Sequence, residues 1–306
     1  MRYIYTNHKL MQSLKFLIFT ILIGSSLNLN AQYTDIINSN RPGTSQGAFA
    51  VGKSVTHIET GVSIGWEEHT LLRTETDAFT IDYAFRQGIV WDRLEISLIG
   101  SYVSEKVIDS RSAASFEYKR SNFRANTLGA KYLLYDPYKE RDQRAPNLYS
   151  WRANNTFQWE ELIPAISFYA GLNFDTLDNP FIPPDTPRFS PKFILMTQNN
   201  FEGGFVFVTN IIVDRVTTDF PTYSYILTLT HAFNPRFSMF VENQGIKSDF
   251  YADQLLRFGA AYLFGPDFQL DVLSAINFKD TPSKFFVGIG ASYRIDNHPE
   301  KEPRRN

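Results

Sequence analysis

Alternation of apolar and polar residues is the strongest regularity in this chain. Ile58, Thr60, Val62, Ile64 and Trp66 fall on one side of a period-two run, with His57, Glu59, Gly61, Ser63 and Gly65 on the other. The same layout sets Phe79, Ile81, Tyr83 and Phe85 against Thr80, Asp82, Ala84 and Arg86, and Leu94, Ile96, Leu98, Gly100 and Tyr102 against Arg93, Glu95, Ser97, Ile99 and Ser101. A period of two is the mark of a half-buried β-strand. Leu128, Ala130, Tyr132 and Leu134 continue the series, followed by Ile166, Phe168, Ala170, Leu172 and Phe174. Further strands are predicted near residues 189–200, 204–214, 222–231, 236–244, 254–264, 268–276 and 284–295. The total is about twelve, and an even number is what a single-chain outer-membrane barrel requires.

The connectors differ in length in a regular way. Arg86-Gln87-Gly88, Glu202-Gly203, Asn234-Pro235 and Gly265-Pro266-Asp267 are tight and carry turn-forming residues. The alternate connections, 105–120, 176–188, 215–221, 246–253 and 277–283, are longer and polar. Short turns on the periplasmic side and long loops outside are the asymmetry of a transmembrane barrel. Residues 136–161 break it, being long, charged and aromatic yet on the short-turn side; a short helix or a cap at the barrel mouth is one reading. A soluble β-sandwich also alternates. Here the apolar faces end in Trp66, Tyr102, Tyr132 and Tyr293, which suits interfacial girdles, while the opposite faces carry Gly, Ser, Thr and single charges. The expected fold is therefore all-β, a transmembrane antiparallel up-and-down barrel over residues 54–295.

The first 31 residues read differently. Arg2, Lys9 and Lys15 precede an apolar run from Phe16 to Ile23, no acidic residue occurs before Asp35, and Ala31 offers a small residue at a cleavage point. That is the layout of a secretory signal peptide, too short in its apolar part to cross a bilayer as a helix. Without its three bases, 27 basic residues face 32 acidic ones, so electrostatics give no reason to expect a nucleic-acid partner. The mean hydropathy of −0.24 looks soluble in bulk. A barrel reads this way because only every second strand residue meets lipid. The absence of cysteine excludes disulfides and thiolate metal sites. The implied partners are outer-membrane lipid and a small-molecule solute, with no cofactor.

Inside a closed barrel every charge must be paired or wet. The alternation puts Glu59, Asp82, Glu95, Glu242 and Asp271 inside, with Arg93, Lys131, Arg257 and Arg294. The set is nearly balanced, which fits either a salt-bridged wall or a mixed-charge filter. Ile99, Leu133, Val206, Val208, Ile226, Leu273 and Phe286 also fall inward and suit an apolar or aromatic solute better than bulk ions. Residues 32–53 have no periodicity. They are either a periplasmic lead-in or a small plug whose Arg41 reaches the inward carboxylates. Residues 296–306 form a charged tail, expected to be disordered in the periplasm.

Several short stretches resemble the MetA-type phenol-degradation outer-membrane family. They are Asn40-Arg41-Pro42-Gly43-Thr44, Ile58-Glu59-Thr60-Gly61, Asp92-Arg93-Leu94-Glu95, Leu128-Gly129-Ala130-Lys131-Tyr132, Gln269-Leu270-Asp271 and Val287–Arg294. The resemblance implies an outer-membrane transporter barrel. Asn40 departs from the acidic residue usual before the Arg-Pro pair, and the 136–161 insertion exceeds the family pattern. A barrel hydrolase would need a serine and a histidine base in reach. His57, His69, His231 and His298 have no serine motif beside them, and no histidine–carboxylate spacing suggests a metal. The residues point to a channel rather than an enzyme, with a structural or adhesive barrel as the alternative.

Overall fold

The computed structural model describes residues 36–139, 159–182, 186–249 and 251–298. The segment expected to be a signal peptide, most of the 136–161 insertion and most of the charged tail lie outside these residues. Twelve strands follow one another: β1 (Val55–His69), β2 (Thr74–Gly88), β3 (Leu94–Asp109), β4 (Phe116–Tyr135), β5 (Ala165–Phe174), β6 (Phe189–Phe201), β7 (Phe205–Asp214), β8 (Thr222–Asn234), β9 (Phe237–Lys247), β10 (Ala252–Leu263), β11 (Phe268–Asn277) and β12 (Ser283–Asp296). Each pairs antiparallel with its neighbours in sequence, and β1 pairs with β12 to close the barrel. Closure removes the sheet edges and satisfies every ladder within the wall, which a lipid-embedded sheet needs. A two-layer sandwich is thereby excluded.

The apolar members of each alternating run face outward. Ile64, Leu128, Leu172, Ile211, Val241, Val272 and Ile289 are all exposed, whereas a water-soluble sandwich would bury such residues. Aromatic rings gather at the short-turn end, where Phe233 meets Phe237 and Phe264 meets Phe268, which in turn meets Tyr293. At the other end Trp66 stacks on Phe285 with ring centroids 5.7 Å apart. Rings at these two levels match the two membrane interfaces. The chain is an outer-membrane β-barrel.

Two connectors differ from the expected ones. The stretch 105–120 is not a long loop: β3 continues to Asp109, β4 begins at Phe116, and only residues 110–115 connect them. Its charges read as a loop but pair across the strands, with Lys106 on Glu117 at 2.9 Å and Arg120 on Glu105 at 2.6 Å. A register shift at Ser101/Tyr102 leaves Arg124 unmatched in the ladder and hides the alternation. Likewise, Arg86, Gln87 and Gly88 are not a turn; β2 runs through them, and residues 89–93 make the connection.

Candidate functional site

Residues 37–53 enter the barrel from the short-turn end and lie along its inner wall. The segment has no strand pattern because its backbone bonds to side chains of the wall rather than to a neighbouring strand. Among the described residues it bonds to every strand except β8 and β10. An unpaired backbone group inside a membrane barrel is costly, and these contacts satisfy many of the segment's amides and carbonyls.

The densest part of this seat is a buried charge cluster on β1–β4. Arg86 is wholly buried. It donates from Nε and Nη2 to the two oxygens of Glu95 (2.8 and 3.0 Å), and from Nη1 to Glu59 (3.0 Å) and the Asn38 carbonyl (2.8 Å). Planar, forked donors suit this bidentate arrangement. Lys131 contacts Glu95 at 3.2 Å and donates to the carbonyls of Gly47 (3.2 Å) and Phe49 (2.9 Å), which uses its three protons. Glu95 also accepts the Val51 amide at 3.0 Å, and Glu59 accepts the Asn40 amide at 3.2 Å. Two cations thus face two carboxylates, and both signs hold the entering backbone.

Glu242 on β9 forms the second anchor. Its carboxylate accepts the amides of Thr44 and Ser45 (3.0 and 3.1 Å), the Thr44 hydroxyl (2.7 Å), the Thr228 hydroxyl (2.9 Å) and Arg257 Nη1 (3.1 Å). The chain can approach this closely because residue 43 is glycine: a Cβ there would lie 2.6 Å from Glu242 Oε2. Asn210 on β7 closes a two-way bond with Gln46, accepting from its amide (2.6 Å) and donating to its carbonyl (2.8 Å).

Arg41 forms the third. Its Nε and Nη2 donate to the two oxygens of Asp271 at 3.2 and 3.0 Å. The guanidinium lies flat against the β1–β12 seam over Gly61 and Gly290, where any side chain would overlap it. Gln269 bonds the Arg41 carbonyl at 3.0 Å.

The structure therefore gathers most of the expected lumen residues, but in three groups rather than one. Glu59, Glu95 and Lys131 meet around Arg86; Glu242 meets Arg257; Asp271 meets Arg41. Asp82 faces inward opposite Gly61 and joins no ion pair among the described residues. Arg93 lies in the 89–93 connection at the rim, where its Nε has no partner among the described residues, and so stays outside the cluster. Arg294 does not meet Glu59 across the seam. Opposite it stands His57, and it pairs instead with Asp267 at 2.8 Å and Asp296 at 2.9 Å. Arg86 is the residue that sequence reasoning missed, although it shares the inward face with Asp82. Asn40, where the family pattern has an acid, accepts the Gly47 amide at 3.1 Å and so braces the segment against itself.

Apolar inward residues form their own groups. Tyr169, Ile194 and Met196 make a buried cluster with Ile212 on β5–β7. Leu133 packs with Ala48 and Ala165 beneath Phe49 and Tyr138, where the 136–161 segment begins. Val206, Val208 and Phe240 line a cavity of about 290 Å³ between the segment and β7–β10. His57 Nδ1 and His231 Nδ1 are buried without a partner among the described residues, and His231 stacks on Phe205 with ring centroids 4.1 Å apart. Among the described residues neither histidine is bonded to a serine.

A family model described as "Putative MetA-pathway of phenol degradation" matches residues 39–295, which is most of the chain. The chain belongs to that family. The match begins inside the entering segment and ends in β12, so the segment and barrel are one family unit. Among solved structures, the COG4313 outer membrane channel from Pseudomonas putida F1 is similar at 11% identity and a TM-score of 0.51, covering 85% of this chain and all of that one. The translocator domain of the autotransporter NalP from Neisseria meningitidis is similar at 9% identity and a TM-score of 0.46, covering 84% and 90%. The first likeness supports the barrel fold at this size. A comparison with curated proteins returned no match.

Proposed function

We propose that this protein is an outer-membrane channel for small, largely apolar or aromatic solutes, closed at rest by its own N-terminal segment. The observation that carries the reading is what fills the barrel. Eight-stranded barrels are just filled by their own side chains, and the bore widens with strand number. At twelve strands the wall encloses a space that here is occupied by a backbone segment held by hydrogen bonds. A purely structural barrel has no need of a bore or of something to close it.

The lumen charges favour an uncharged solute. Glu59, Glu95, Arg86, Lys131, Glu242, Arg257, Asp271 and Arg41 spend their charge on one another and on the segment. They work as the seat of the closure more than as an ion filter. The apolar surface left for a solute is the one beside Val206, Val208 and Phe240. The neighbour titled an outer membrane channel agrees in fold with this reading.

The test is uptake by intact cells of N-phenylnaphthylamine, an uncharged aromatic dye that an intact outer membrane excludes. Cells expressing the protein should brighten faster than cells carrying an empty vector. Equal rates, with the protein folded in the outer membrane, would overturn the channel reading.

A further inference from the structure

We propose, on the basis of the channel reading, that the cavity between residues 37–47 and the β7–β10 wall is the periplasmic end of the solute path, so that solute leaves past the segment while most of the segment stays seated. The cavity of about 290 Å³ is lined by Val206, Val208, Thr230, Phe240, Ala261 and Leu263 on the wall side, and reaches the turn Asn234-Pro235-Arg236. That turn lies at the short-turn end, so the cavity faces the periplasm. Its size is at the lower limit of small-molecule pockets. Its wall side is largely apolar with hydroxyls at Thr228 and Thr230, while the segment side and the mouth carry Asn40, Arg41, Gln198 and Arg236, which suits a compact molecule with an aromatic or aliphatic body and a polar end.

The seat is uneven in a way that points to this side. Along β1–β5 the segment is held by wholly buried Arg86 and Lys131, by the bidentate Arg86–Glu95 pair and by the apolar packing of Ala48 against Leu133 and Ala165. Along β8 and β10 it makes no bond among the described residues, and the cavity occupies that gap. Just above the cavity, Asn210 and Glu242 are the next inward residues on β7 and β9. They grip only residues 44–46. Releasing those few bonds connects the lumen to the cavity, whereas freeing the whole segment requires breaking the buried charge cluster as well. Gly43 and Gly47 flank the gripped residues, which permits a local swing.

Because the chain has no cysteine, the two sides can be tested separately in intact cells with N-phenylnaphthylamine. Ala48→Cys with Ala165→Cys ties the segment to β5 where the two side chains already pack. With the disulfide formed, shown by loss of free thiols, uptake should stay within about twofold of wild type. Ala261→Trp or Thr230→Phe fills the cavity and should lower uptake about tenfold, with folding verified by the mobility shift on boiling. Loss of uptake in the tied protein, restored by reductant, would show that the whole segment must leave and would overturn the proposal while keeping the channel. Unchanged uptake in both cavity-filling variants would overturn it too. No uptake above vector in the wild type would instead overturn the channel reading itself.

Discussion

Removing Arg86 tests the physical logic of the seat. In Arg86→Met the side-chain volume is roughly kept while the charge disappears. Glu95 loses two charge-assisted bonds and keeps Lys131 and the Val51 amide; Glu59 loses its cation and keeps, among the described residues, the Asn40 amide at 3.2 Å. Two buried carboxylates then face one ammonium. Breaking a buried ion pair from one side costs roughly 3–5 kcal/mol, because the remaining charge is left uncompensated in a low-dielectric site. Urea unfolding in a detergent or lipid where the barrel refolds reversibly would measure it. Arg86→Lys restores charge without the fork and should recover about half of the loss. Arg86→Met with Glu59→Gln should be more stable than Arg86→Met alone, since it removes the orphaned charge. A loss below about 1 kcal/mol for Arg86→Met, or a double variant no better than the single, would show that the cluster is not the stabilising unit described.

Other changes have definite expected outcomes. Val272, outward-facing and 52% exposed, should cost about 2–4 kcal/mol as Val272→Arg near the bilayer midplane, while the inward Thr80→Arg should cost less than half of that; equal costs would mean the outward face is misassigned. Gly290→Ala pushes a methyl into the Arg41 guanidinium and should raise ion current in planar bilayers. Adding Arg41→Ala should then have little further effect, and independent, additive increases would separate the two residues. Unboiled protein should run differently from boiled protein on a detergent gel, as expected of a closed sheet; identical mobility would contradict the barrel.

Alternation made the wall legible because lipid outside and lumen inside impose opposite chemistry on successive residues. It failed where charge imitated a loop, as at Lys106 and Glu117, or where the bulge at Ser101/Tyr102 broke the period. Arg86 was missed for a related reason: Gln87 and Gly88 after it read as a turn, although β2 carries through them. Which inward charge meets which depends on register and on residues 37–53, and neither is encoded in a period. Ser97 illustrates the cost of reading faces alone. It points inward as expected but is buried at 2% exposure, so an arginine there would meet packed wall rather than open lumen. The entering segment left the faintest trace, a lone Arg41 among glycines. Its partners are wall side chains reached through backbone groups that any sequence would carry.

The most direct measurement is the single-channel conductance of the refolded protein beside a variant lacking residues 36–50, both shown to be folded by heat-modifiable mobility. A barrel closed by its own segment gives small, brief openings for the full chain and several-fold larger, steady conductance once the segment is gone. Equal conductance in the two proteins, or none in either, would contradict the claim that these residues close a solute channel.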